Sequence, residues 1–159
     1  MRFSIASDED MQQLGREIAA VLDKGDVLYL IGELGAGKTS LARGIARGLG
    51  YTGRVSSPTF TLMNVYPGVK EIYHFDLYRL QDNELDDLGW EDYLERDGIS
   101  LVEWPLVAEH VFPGEALLIR IDLVDEDYER EREVSISAVG LRYRQKLEEL
   151  KKNVNTGHR

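Results

Sequence analysis

Eight consecutive residues, Gly32-Glu33-Leu34-Gly35-Ala36-Gly37-Lys38-Thr39, fit the pattern G-x-x-x-x-G-K-[ST]. Each residue type has a chemical reason to be there. The glycines Gly32, Gly35 and Gly37 are expected to take positive φ and let the backbone approach a phosphate with no Cβ in the way. Backbone N–H groups of the loop, and of the helix it opens, then converge on an anion. Lys38 adds a point charge within reach of β and γ phosphates, and Thr39 adds a hydroxyl suited to Mg²⁺.

Two further residues extend this chemistry. Ile72-Tyr73-His74-Phe75 is an apolar strand pattern closing on Asp76, and Ile99-Ser100-Leu101-Val102 is another closing on Glu103. A strand ending in a carboxylate delivers an oxygen to the carboxyl edge of the sheet, where phosphates and their metal sit. Two such acids suggest a metal-and-water site with divided roles. Ser57 and Thr59 offer hydroxyls in the loop after the phosphate-binding helix. That loop is either an ordinary Ser/Thr turn or a switch that senses the γ-phosphate. Arg79 either touches a phosphate or pairs with a nearby acid, and Trp104 either packs in the core or lies against a substrate. His74 reads as a packed or surface strand residue rather than a ligand.

The surrounding elements are those such a site needs. Val27-Leu28-Tyr29-Leu30-Ile31 is a continuous apolar run ending at Gly32, the pattern of a strand buried on both faces. After the loop, Leu41, Ala42, Ile45, Ala46 and Leu49 form one face of a helix, Arg43 and Arg47 the other, and Gly50 stops it. Upstream, Ser7 with Asp8, Glu9 and Asp10 is a helix start. The stripe Met11, Leu14, Ile18, Val21, Leu22 continues it, and Gly25 is expected to end it. Its first turn is a candidate border for a nucleotide base.

Residues 62–66 and 71–76 read as a hairpin about Pro67-Gly68. Residues 81–96 read as an acidic, mostly helical stretch, and Pro105 as the start of a short helix. Residues 116–123 and 133–139 read as an antiparallel edge pair, because the second alternates polar and apolar. Leu141 to Leu150 is a charged amphipathic helix, and residues 153–159 are expected to fray. The expected fold class is α/β: a single P-loop NTPase domain over residues 1–152, with a mixed, mostly parallel sheet flanked by helices and an antiparallel strand pair near the C-terminus.

Composition limits the function. The chain has 159 residues, 43% hydrophobic and 30% charged, as expected of one globular domain. A formal net charge of −10 argues against a large nucleic-acid footprint, so any tRNA is expected to be met only indirectly. The absence of cysteine excludes disulfides and thiolate metal sites. No apolar run approaches a membrane span or a signal peptide, so a cytoplasmic protein without membrane contact is expected.

Four motifs in this order, Gly32 to Thr39, Ser57-Pro58-Thr59-Phe60-Thr61-Leu62, His74-Phe75-Asp76-Leu77-Tyr78-Arg79-Leu80 and Val102-Glu103-Trp104-Pro105, make the chain closely resemble the TsaE (YjeE) family. The resemblance covers about residues 5 to 140. It implies a small P-loop ATPase that binds ATP and Mg²⁺, hydrolyses ATP slowly alone, and acts on a TsaD–TsaB complex. That complex places threonylcarbamoyl on the adenosine beside the anticodon in tRNA. By motif, the resemblance implies that Gly35, Ala36, Gly37, Lys38, Thr39 and Ser40 hold the phosphates and that Thr39 and Glu103 bind Mg²⁺. It makes Asp76 the acid of the second motif, Ser57-Pro58-Thr59 a switch loop with Thr59 in the catalytic set, and Trp104 the aromatic of a nucleotide-side Glu-Trp pair. Lys38, Asp76 or Glu103 would serve the chemistry itself. Arg54 and Arg79 are the cis candidates for an arginine finger, unless a partner supplies one.

A small-molecule kinase is the alternative, with Asp76 as base. Its arginine-bearing lid would have to come from Arg130 and Arg132, which acids dilute. A nucleotide-gated binding module without meaningful hydrolysis is a third reading. No Asn-Lys-x-Asp motif supports a GTPase.

Overall fold

The computed structural model describes residues 1–33, 35–56, 63–77, 96–104, 114–124 and 131–156. The expected switch segment 57–62, with Ser57 and Thr59, lies outside them. So do Arg79, the acidic stretch 81–95, and the residues following Trp104 up to 113.

Seven strands form one sheet: β1 (Arg2–Ile5), β2 (Val27–Gly32), β3 (Met63–Tyr66), β4 (Ile72–Asp76), β5 (Ile99–Trp104), β6 (Ala116–Leu123) and β7 (Arg132–Val139). Their order is β1-β7-β6-β2-β5-β4-β3. The centre, β6-β2-β5-β4, is parallel, and β3, β7 and β1 join it through antiparallel pairings. Because β1 is antiparallel to β7, and β7 to β6, β1 runs the same way as the centre. The sheet is thus mixed, with most strands in one direction, as expected for the α/β class.

The central strand β2 is buried along its whole length. Leu28 and Leu30 on one face join a core with Leu101, Ile119, Leu14, Leu41 and Ile45, while Tyr29 and Ile31 on the other join Phe75 and Val102. Three helices supply the first core: α1 (Asp8–Ala19), α2 (Lys38–Gly48) and α3 (Leu141–Thr156). At about 25 cal/mol per Å² of apolar surface, a strand buried on both faces is among the most stabilising segments of such a domain.

Four boundaries differ from expectation for identifiable reasons. β6 and β7 do pair antiparallel, but neither is an edge: β6 also pairs with β2, and β1 covers β7. The alternation in β7 reports which sheet face is solvated, whereas an edge concerns pairing in the sheet plane. Helix α1 stops at Ala19, not near Gly25. Val21 and Leu22 stay buried beyond it in tighter turns, bonding to the Ile18 and Ala19 carbonyls, so the apolar stripe outlasts the helix. Helix α3 runs on to Thr156, with Val154 buried, past the residue where fraying was expected to begin. The link between β3 and β4 spans residues 67–71, longer than a two-residue turn.

Helices α1 and α2 cross at very close range. A Cβ on Gly15 would stand 2.6 Å from the Leu41 carbonyl oxygen and 2.7 Å from Ile45 N. One on Gly44 would overlap the Gln12 carbonyl oxygen and stand 2.7 Å from Gln12 Cα. This contact sets where α2, and hence the N-terminus that opens the phosphate loop, lies over the sheet.

Candidate active site at the carboxyl edge of the sheet

β2 delivers the chain into the glycine loop at Gly32. Gly32 itself does not adopt positive φ, contrary to expectation; it is needed because a Cβ there would lie 2.8 Å from the Ile121 carbonyl oxygen. Gly35 (φ 82°) and Gly37 (φ 115°) do occupy the left-handed region, where a side chain is strained. Gly37 is the N-cap of α2, with no side-chain cap bond and no acid in the first turn. Helix α1 is the opposite case: Ser7 Oγ accepts a bond from Asp10 N at 3.1 Å, and Asp8, Glu9 and Asp10 neutralise the first turn. The start of α2 thus lacks the side-chain cap and first-turn acids that the start of α1 has.

Lys38 is only 4% exposed. Its ammonium folds across its own loop, donating to the Gly32 carbonyl at 2.6 Å and the Glu33 carbonyl at 3.3 Å. Burial pushes it down to about 8, against the opposing pull of Glu103 and Asp76, which face it closely enough to favour its charged form.

The strand order makes the acids meet. β5 inserts between β2 and β4, so Glu103 pairs in register with Leu30, two residues before Gly32, and Asp76 pairs with Glu103. Both carboxylates are nearly fully buried, at 3% and 4% exposure. Lys38, Glu103 and Asp76 are thus brought together at one edge. Thr39 and Ser40 follow on the first turn of α2, half-buried. Trp104 is the last residue of β5, in register with Ile31.

Hard oxygen donors, the Thr39 hydroxyl and one or both carboxylates, fit Mg²⁺, which takes few protein ligands and fills its shell with water and phosphate oxygens. Among the described residues there is no cluster of three or more His, Cys, Asp or Glu able to hold a metal alone.

A cavity of about 240 Å³ opens beside the loop, lined by Ser7, Asp8, Met11, Gly37, Ser40 and Arg132, among others. The first turn of α1 therefore does border the space next to the phosphate loop. Ser40 Oγ donates to Asp8 Oδ1, and this bond is the main reason the Asp8 carboxyl is held below its ordinary range. Arg132 Nε donates to the Ala36 carbonyl at 3.1 Å, tying β7 to the loop. Arg54, a finger candidate, is exposed.

Sequence reasoning read His74 as a packed or surface strand residue, which fits its burial, but did not foresee its bond to Glu103, nor the places of Tyr66 and Arg132. His74 is fully buried, and its Nε2 donates to Glu103 Oε2 at 2.6 Å. The available signal was weak: His74 lies two residues before Asp76, on the same strand face by period 2, but its contact with Glu103 depends on a register between strands that no local pattern encodes.

Fold and loop together define an α/β domain of the P-loop class. Comparison with known proteins narrows this: the family model for threonylcarbamoyl adenosine biosynthesis protein TsaE matches residues 5–134. The chain is 42% identical over 156 residues to the tRNA threonylcarbamoyladenosine biosynthesis protein TsaE of Bacillus subtilis, covering 98% of this chain and 96% of that one. It is 42% identical over 129 residues to the protein of that name from Haemophilus influenzae, covering 77% and 82%. The crystal structure of Bacillus subtilis YdiB superposes with a TM-score of 0.80 at 38% identity, over 96% of this chain and 94% of that one. This chain belongs to the TsaE family, whose role lies in the biosynthesis of threonylcarbamoyladenosine in tRNA. Among the described residues, no helix is long and apolar enough to cross a membrane.

Proposed function

We propose that this protein is a Mg²⁺-dependent ATPase whose turnover serves a TsaD–TsaB-like complex during threonylcarbamoyladenosine formation. One observation carries the reading: a buried Lys38 at the mouth of a glycine loop faces two buried carboxylates from separate strands, Glu103 and Asp76. The phosphates would bind the amides from Gly35 to Ser40, and the nucleoside would enter the cavity between the loop and α1. Mg²⁺, held by Thr39 and Glu103, would supply charge neutralisation across the β and γ oxygens. Lys38 would offset charge on the transferring phosphoryl group. Asp76 or Glu103 would orient the water whose oxygen bonds to the γ-phosphorus as the bond to ADP breaks. Arg54 is exposed, and a partner would supply the finger, so slow hydrolysis by the isolated chain is expected. The net charge of −10 supports a protein partner, with tRNA held mainly by that partner.

The test is reconstitution with TsaD- and TsaB-like proteins, tRNA and ATP, following modified adenosine and free phosphate over many turnovers. Multiple-turnover modification should require this protein, and Lys38→Ala, Glu103→Ala and Asp76→Ala should each abolish it. Undiminished modification with Glu103→Ala and Asp76→Ala together would show that hydrolysis is dispensable and overturn the ATPase reading.

A further inference from the structure

A line of polar side chains crosses the sheet on the face that carries the helices, and it ends on Glu103. Tyr66 on β3, His74 on β4 and Glu103 on β5 are diagonal neighbours: Tyr66 pairs with Ile72, two residues before His74, and His74 pairs with Leu101, two before Glu103. All three are buried, at 3%, 0% and 3% exposure. The Tyr66 hydroxyl lies 2.9 Å from His74 Nδ1, and His74 Nε2 lies 2.6 Å from Glu103 Oε2.

The chemistry fixes the direction of the bond to Glu103. A carboxylate oxygen only accepts, so Nε2 carries the proton and donates to Glu103. Nδ1 bonds the Tyr66 hydroxyl, whose single proton serves either Nδ1 or the Ser56 carbonyl. Tyr66 is itself held: its ring stacks on Tyr51 with centroids 4.9 Å apart, and its hydroxyl also lies 3.3 Å from the Ser56 carbonyl, which accepts from Asn64 Nδ2 at 3.1 Å. A carboxylate at a strand end has rotamers to choose among. This imidazole removes that choice by holding one oxygen and leaving the other as the one a cation would take.

We propose that His74 is a positioning residue that orients Glu103 for the metal of the bound nucleotide, with Tyr66 fixing the imidazole in turn. This rests on the assignment of Glu103 as a metal ligand made above. Outer partners of this kind raise metal affinity by about 10–100-fold in other sites because they pre-set the ligand geometry. His74 touches neither phosphate nor water in this scheme; it acts through Glu103.

The experiment uses the full chain and a fluorescent ATP analogue, titrated with Mg²⁺ and repeated with Mn²⁺, to give the metal concentration for half-maximal nucleotide binding. No turnover is needed. Glu103→Gln and His74→Leu should each raise that concentration about tenfold or more, and the double variant should add little to either. Glutamine at 74 can place its amide donor near the Nε2 position, whereas asparagine reaches only the Nδ1 position. His74→Gln should therefore recover part of the metal affinity and His74→Asn should not. Tyr66→Phe should show a smaller shift of the same sign. Thermal unfolding without metal separates these effects from folding, and if His74→Leu does not fold, the Gln and Asn pair decides.

A raised metal requirement in Glu103→Gln with none in His74→Leu, or equal requirements in the Gln and Asn variants, would reduce His74 to packing while the ATPase reading stands. If Glu103→Gln itself leaves the metal requirement unchanged, both the ligand assignment and this inference fail.

Discussion

Gly44→Ala is an exacting test of how the phosphate loop is held. In an exposed helix this change stabilises by about 1 kcal/mol, because alanine costs less backbone entropy. Gly44 is not in such a place. Its Cβ would overlap the Gln12 carbonyl oxygen and lie 2.7 and 2.8 Å from Gln12 Cα and carbonyl carbon. These are backbone atoms of α1, which cannot rotate aside as a side chain would. The helices must therefore separate, and Leu14, Ile18, Leu41 and Ile45, all fully buried, lose contact as they do. Overpacking costs about 1–3 kcal/mol where side chains can adjust, and the upper end applies where backbone meets backbone. Less the gain in propensity, the net loss should be about 2 kcal/mol, read as a lower urea midpoint with an unchanged slope. Because α2 begins at Lys38, the surviving folded protein should also bind the ATP analogue more weakly. Gly68→Ala is the control: it is exposed, its nearest neighbour would be the Lys70 carbonyl oxygen at 3.7 Å, and it should be neutral within about 0.5 kcal/mol. A Gly44→Ala protein as stable as the parent would refute the close crossing and the account of how α2 is placed.

Two other outcomes follow from the charges. Burial lowers Lys38 from 10.5 to about 8, so between those pH values the folded chain binds fewer protons than the unfolded one; the cost, about 3 kcal/mol, is complete below pH 8 and fades as pH rises to 10.5. Urea unfolding without nucleotide should accordingly gain stability across that window relative to Lys38→Met, and calorimetry at pH 8.5 in two buffers should show proton uptake on nucleotide binding. Lys146 Nζ lies 2.9 Å from Oδ2 of the fully buried Asp26, whose Oδ1 has Arg142 Nη2 at 2.7 Å, although that guanidinium aims its hydrogen bond at the Lys24 carbonyl. Lys146→Met should thus cost about 3 kcal/mol by urea unfolding, since it leaves a buried carboxylate short of its aligned cation.

The parts of the fold that were legible are those whose signals are local. β2 reads as a buried strand because every residue in it is apolar, and the loop reads as an anion cradle because Gly35, Gly37, Lys38 and Thr39 sit in consecutive chain. β4 and β5 were legible, acids included, for the same reason. β1 was not: it has four residues, of which only Ile5 is buried, and it is a strand because β7, some 130 residues later, presents an edge to it. The place of Gly32 was legible, its reason was not, since the crowding oxygen belongs to Ile121 on another strand. The packing of His74 was legible, but its bond to Glu103 was not, for the same cause. A histidine in an apolar strand looks identical whether it fills space or grips an acid, and the difference lies in the register of β4 against β5.

That register also bears on how the two acids divide their work. In chain order Asp76 comes first, but in space β5 lies against β2 and β4 lies one strand further out. Strands repeat at about 4.8 Å, so Glu103 starts that much nearer the loop than Asp76 does. Glu103 is also the acid with one oxygen held by an imidazole, which suits a ligand that must keep one geometry. Asp76 closes β4, and the next residue, Leu77, donates its N–H to the Glu103 carbonyl at 3.1 Å. The two strand ends are therefore tied through their backbones while their side chains have different surroundings. Two acids that looked equivalent along the chain are made unequal by the crossover that puts β5 inside β4, an inequality that would suit the proposed pairing of a metal ligand with a water-orienting group.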